Sequence, residues 1–141
     1  MKGGYIKKGK CKETDIKNAI LEFLNYHHVF CWPNDSVGIF DPVKKIYRKK
    51  HSRFEMNGVS DILGILPDGR FLAIEVKSEK GRCSDDQVHF LGEVNKRGGL
   101  AFVAKSVDDV KFWMFPSPKA KGTTLDAKFP KEPEAEIHGL D

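Results

Sequence analysis

The sequence predicts an α/β fold, a mixed sheet with helices packed on it, and three observations carry that prediction. Apolar residues Ile16, Ala19, Ile20, Phe23 and Leu24 repeat at three- and four-residue steps, which makes one helical stripe. Two apolar runs between residues 60 and 77 are joined by Pro67-Asp68-Gly69, a hairpin sequence. A stretch with helix start and stop signals then leads to a further apolar run, "LAFVA". The resulting order of helix, strands, helix, strand and helix fits a sheet covered by helices.

Each element has its own signal. The first helix is predicted over about Glu13 to His27, with its stripe facing the core. "VFCW" reads as a short strand closed by Pro33-Asn34-Asp35. "VGIF", a turn around Asp41-Pro42, and "KIYRKK" read as a basic hairpin or extended arm. Strands follow over about residues 60–66 and 70–77. The next helix is "SDDQVHFLGEVNKRGG": Ser84 is a good N-cap, Asp85 and Asp86 suit the positive end of the dipole, and Gly98-Gly99 ends it. "LAFVA" is a buried-type strand, Ser106-Val-Asp-Asp begins a short helix, and "FWMF" reads as a last strand. Residues 1–115 are expected to form one domain. Beyond them, four prolines and mixed charge over 116–141 predict a flexible tail.

Composition narrows the function classes. The chain has 141 residues, enough to bury a core without covalent staples. No apolar run approaches the roughly 20 residues that span a bilayer, and the lysine-rich start lacks the apolar segment of a secretory signal. Cys11, Cys31 and Cys83 are odd in number and form no Cys-x-x-Cys pair, which points to a reducing cytoplasm rather than disulfides or structural zinc. The net charge is +4, and it is clustered: residues 41–53 hold Lys44, Lys45, Arg48, Lys49, Lys50 and Arg53 against Asp41 alone. Clustered positive charge suits a polyanion such as nucleic acid, and equally suits a solvated surface.

Asp61, Glu75 and Lys77 interrupt the two apolar runs of "GVSDILGILPDGRFLAIEVKSEKG", where a buried strand should not tolerate charge. If Pro67, Asp68 and Gly69 form the loop, Leu66 faces Arg70 and paired positions sum to 136. Asp61 then lies opposite Glu75, with β-carbons roughly 5 Å apart. Lys77 projects from the same face, two residues beyond Glu75. A one-residue slip would break the cluster by exchanging faces. Two carboxylates so close repel, and a divalent cation relieves the repulsion. The chemistry this suggests is metal-assisted phosphodiester hydrolysis. An exposed Glu-x-Lys ion pair is the bland alternative, which apolar neighbours on both faces weaken.

These residues resemble the PD-(D/E)XK nuclease superfamily, whose signature is an Asp at the start of one strand and Glu-x-Lys on the next. Here they are Asp61, 13 intervening residues, and Glu75-Val76-Lys77. Within the superfamily the chain is similar to a stand-alone VRR-NUC domain over about residues 12–111, in "KETDIKNAILEFL", "FCWPND", the hairpin and "SDDQVHFLGEVNKRGGLAFVAKSVDDV". The resemblance implies a restriction-endonuclease-like mixed central sheet flanked by helices. It also implies a Mg²⁺- or Mn²⁺-dependent DNA endonuclease of replication, recombination or repair, acting on branched DNA as a homodimer. Metal would be held by Asp61, Glu75, the Val76 carbonyl and a first-helix glutamate, with Glu13 chosen over Glu22 because Glu13 lines up with the core-facing stripe at the helix start whereas Glu22 points to solvent. Lys77 would position or activate water, and Gln87 matches a family glutamine. Gln87 also fits a capping box with Ser84, a role expected to compete for its side chain. DNA phosphates would meet Lys44, Lys45, Arg48, Lys49, Lys50 and Arg53, with Lys80 and Arg82 beyond the active strand. Where the family often has Trp-Arg, this chain has Trp32-Pro33. The alternative is a non-catalytic nucleic-acid-binding module on the same fold, which would gain nothing from carboxylates facing a polyanion.

Overall fold

The computed structural model describes residues 11–35, 38–48 and 52–117. Lys49, Lys50 and the tail from residue 118 onward lie outside the described residues. Among these described residues, three helices and six strands follow in the order α1 (Glu13–Tyr26), β1 (Phe30–Pro33), β2 (Ile39–Asp41), β3 (Ile46–Arg48), β4 (Ile62–Ile65), β5 (Phe71–Val76), α2 (Asp85–Lys96), β6 (Leu100–Ala104) and α3 (Val107–Met114). The main sheet runs β1-β4-β5-β6, and β2 and β3 pair as a separate hairpin. β1, β4 and β5 are antiparallel in turn, whereas β6 is parallel to β5 through the α2 crossover, so the sheet is mixed as expected.

The hairpin has the anticipated register. Ile62 pairs with Ile74 and Ile65 with Phe71, each pair summing to 136. Leu66 N–H donates to the Arg70 carbonyl at 2.8 Å, closing the loop, and Gly69 takes the left-handed φ of +87° that the turn requires. The β4 ladder begins at Ile62, so Asp61 stands just outside it, one step further along the same register.

Alternation along the strands divides the core into two layers. Ile62, Leu72, Ile74 and Val76 face α1 and α3, where Ile16, Ile20, Leu24 and Val110 meet them. Ala73 and Ala101 face α2 and pack on Leu91, with Leu63 and Val103 at the margin. β5 is thus buried on both faces along most of its length. The α2 signals operate as read: the Ser84 hydroxyl accepts from Gln87 N–H, and Gly98 and Gly99 N–H groups close the C-terminus on Asn95 and Val94.

One element differs from expectation. "FWMF" is the end of α3, Phe112 to Met114 in the helix and Phe115 at its C-cap, not a strand. Ser106 caps the helix by accepting from Asp109 N–H, and the Asp109 carboxylate takes Lys105 N–H. Val110, Trp113 and Met114 then recur at helical steps against the core, with Trp113 stacked on Phe102. Four aromatic or large apolar residues in a row satisfy a strand by composition, but their spacing to Val110 belongs to a helix.

Among the described residues, no helix is long and apolar enough to cross a membrane.

Gly58 locks the segment before β4 beneath the start of α2. It has φ +73°, and a β-carbon there would sit 2.3 Å from the Asp86 carbonyl carbon. Gly58→Ala is expected to cost at least about 2 kcal/mol of stability, because backbone blocks the added methyl and the φ is wrong for alanine. Urea denaturation measures this, and an unchanged midpoint would contradict the packing.

Candidate active site

The site forms at the carboxyl end of β5, where strand register and the start of α2 converge. Glu75 shares the α2-facing side of β5 with Ala73, and it is 1% exposed. A carboxylate there has lost its water, so its surroundings must supply the contacts. Gln87 Nε2 donates to Glu75 Oε1 at 2.6 Å, and Lys77 Nζ lies 3.2 Å from the same oxygen. The other oxygen, Oε2, is buried without a hydrogen-bond partner among the described residues.

Asp61 comes from the opposite side of the hairpin. Its Oδ2 accepts from Val76 N–H at 2.9 Å, and its carbonyl accepts from Asn34 N–H at 2.8 Å. The side chain is thereby fixed against the strand that carries Glu75 and Lys77. The hairpin gathers all three residues, as the turn register implies.

Electrostatics follow from this crowding. Burial, and then the Asp61 charge, push the Glu75 carboxyl up to about 7, with Lys77 partly opposing. Desolvation pulls the Lys77 ammonium down, but the bond to Glu75 and its charge outweigh this and leave Lys77 raised above its ordinary value. The Cys83 thiol is also raised, first by burial and then by the Glu75 charge.

Gln87 performs both of the roles expected to compete. Its Oε1 accepts from Ser84 N–H at 2.9 Å, completing the capping box, while Nε2 reaches Glu75. An amide has separate donor and acceptor ends, and the two partners lie on opposite sides of it.

Glu13 is placed differently from expectation. It is exposed at the start of α1 rather than core-facing, and its Oε1 accepts from Ser78 N–H at 3.2 Å, just past β5. Its charge contributes to raising Lys77, so it borders the site. Glu22 is exposed, as its helical angle indicated.

Of the basic residues, Lys44, Lys45, Arg48 and Arg53 are exposed on or after the β2–β3 hairpin. Asp41 accepts from Val43 and Lys44 N–H and pairs with Arg48, which orders the turn and offsets one positive charge. The Arg53 guanidinium lies over the Phe54 ring. Lys80 and Arg82 are exposed on the loop after Lys77. Sequence reasoning missed Lys105. It follows Ala104, which pairs with Val76, so it emerges beside Lys77, and its Nζ donates to the Glu79 carbonyl at 2.8 Å. Only the β5–β6 register reveals it.

A divalent cation fits the donors present. Asp61 and Glu75 supply hard carboxylate oxygens, one of them a buried oxygen without a hydrogen-bond partner among the described residues, and Mg²⁺ commonly takes one or two carboxylates and keeps waters for the rest. Among the described residues, no three His, Cys, Asp or Glu side chains gather closely enough to enclose an ion by themselves. A groove between α2 and Phe71, lined by Met56, Arg70, Phe90 and Val94, opens at the other end of β5 and holds none of these site residues.

A family model described as the VRR-NUC domain matches residues 12–108. A solved structure described as "VRR_NUC domain" is 22% identical, with the match covering 71% of this chain and 90% of that one at a TM-score of 0.49. No curated protein matches the sequence.

The Glu75 shift has a stability consequence in the metal-free protein. A raised carboxyl pKa helps the fold fully below the ordinary 4.5, and that help is lost as pH rises through about 7. In EDTA, wild-type stability relative to Glu75→Gln is expected to fall by roughly 3 kcal/mol between about pH 5 and about pH 8. Urea denaturation across that range checks it. A constant difference between the two proteins would contradict the raised pKa.

Proposed function

This chain belongs to the VRR-NUC domain family, a family of nuclease domains, and on that premise we propose that it is a divalent-metal-dependent DNA endonuclease. The observation that carries this reading is Glu75, a buried carboxylate held on one oxygen by Gln87 and Lys77 while its second oxygen has no hydrogen-bond partner among the described residues.

Asp61, Glu75 and the Val76 carbonyl would hold Mg²⁺ or Mn²⁺, which when bound polarises a phosphoryl oxygen and lowers the pKa of a bound water. The chain's own residues do the positioning. Val76 N–H fixes one Asp61 oxygen, and Gln87 fixes one Glu75 oxygen, so both carboxylates meet the substrate preset rather than free to rotate. Lys77, whose ammonium is paired with Glu75, would stabilise negative charge developing on the phosphorus oxygens and position water. Glu13 steadies the chain just beyond Lys77 through Ser78 N–H. Lys44, Lys45, Arg48 and Arg53, with Lys49, Lys50, Lys80 and Arg82, would meet backbone phosphates.

The preferred substrate in this reading is branched DNA of replication, recombination or repair. A two-fold junction needs two cuts related by symmetry, which a homodimer supplies. The three free cysteines suit a reducing intracellular setting.

Asp61→Ala, Glu75→Ala and Lys77→Ala are each expected to slow Mg²⁺-dependent cleavage by at least about a hundredfold while the far-ultraviolet circular dichroism stays native. The assay is a panel of junction, flap, single-stranded and linear duplex DNA, with Mg²⁺ or EDTA. Cleavage undiminished in EDTA, or in Asp61→Ala, would overturn the proposal. Binding without metal-dependent cleavage would favour the non-catalytic module.

A further inference from the structure

Among the described residues, the α2-facing side of the sheet is only partly covered. α2 lies over β5 and β6, with Leu63 of β4 at its margin, whereas β1 and the Ile65 end of β4 are open on that side. Cys31 points to the opposite, α1-facing core, so Phe30 and Trp32 share the open side. Phe30 is 68% exposed and Trp32 38%, with Ile65 beside them at 42%. The two rings lie 5.6 Å apart, edge to face. Two aromatic side chains on an edge strand, unburied beside a hydrophobic core, need a reason.

Their position relative to Asp61 supplies one. Trp32 pairs with Leu63, and Pro33 with Ile62. The next contact along β1 is Asn34 N–H on the Asp61 carbonyl. Trp32 therefore stands one row from Asp61 on the same side, and Phe30 one row further. The strip leads straight away from the carboxylates.

We infer that Phe30 and Trp32 form a stacking platform for unpaired nucleotides next to the scissile phosphate. This rests on the nuclease reading and narrows its branched substrate to DNA with two unpaired or extruded nucleotides at the cut, as at a flap or an opened branch point. The two ring centroids are 5.6 Å apart and steeply tilted to each other, whereas stacked duplex bases rise roughly 3.4 Å and lie parallel, so bases on both rings must be drawn out of the stack. Bases inside a duplex present only their edges, and only an extruded or single-stranded base offers a face to a ring. A second copy of the chain is a poorer occupant. The exposed apolar area of Phe30, Trp32, Ile65 and Phe71 is on the order of 400 Å², half of the about 800 Å² per partner that a stable interface buries.

The test keeps this inference separate from cleavage by working in EDTA. Oligothymidylate is expected to quench the tryptophan emission of the full chain. Trp32→Phe should lose that quench yet bind labelled oligothymidylate within about twofold, since phenylalanine also stacks. Trp32→Ala and Phe30→Ala should each bind it about tenfold more weakly, with blunt duplex binding unchanged. Undiminished oligothymidylate binding in Trp32→Ala would overturn the inference, as would an equal loss on duplex. So would sedimentation showing that Trp32→Ala turns a dimer into a monomer, because a second copy would then cover the strip. A persistent Trp32 quench without any metal-dependent cleavage would support the platform and remove only the nuclease reading.

Discussion

Burial of one carboxylate governs this structure. Glu75 sits in a strand covered by helices on both faces, where an unpaired charge is expensive, and the fold surrounds it with a specific set of partners rather than excluding it. The tight turn at Pro67-Asp68-Gly69 fixes the register that brings Asp61 alongside. The same register places Lys77 on the same side. The start of α2 is held down by Gly58, which permits backbone contact at Asp86, and this brings Gln87 within reach. Turn, strand and helix thus act on one side chain.

That convergence leaves an asymmetry at Glu75. One oxygen carries Gln87 and Lys77, and the other is buried without a hydrogen-bond partner among the described residues. A purely structural ion pair would satisfy both oxygens, since an unsatisfied buried acceptor costs about 1–3 kcal/mol. Retaining that cost makes sense where a cation is to be bound, and the open Phe30–Trp32 side of the sheet leads from the same place.

Much of this was legible in the sequence. The hairpin register follows from turn chemistry, because Pro67 and Gly69 leave few alternatives, while α1 follows from its apolar stripe, α2 from explicit start and stop residues, and β6 from its apolar run. Three features were not legible. "FWMF" reads as strand by composition, and only its packing against Phe102 settles it as helix. Glu13 could be aligned with the α1 stripe, but whether a residue in a first turn points inward depends on the neighbouring loop, here Ser78. Gln87 serves both Ser84 and Glu75 because α2 begins beside β5, a distance that no local pattern encodes.

The most direct test follows the Glu75 carboxyl itself. Carbon-13 NMR of side-chain-labelled protein, with Glu75→Gln to assign the resonance, would report its titration with and without Mg²⁺. The account predicts a midpoint near 7 in EDTA, matching the raised value, and a fall below the ordinary 4.5 once Mg²⁺ is added. An ordinary midpoint in EDTA, or a raised one that Mg²⁺ leaves unmoved, would contradict a carboxylate held ready for a cation.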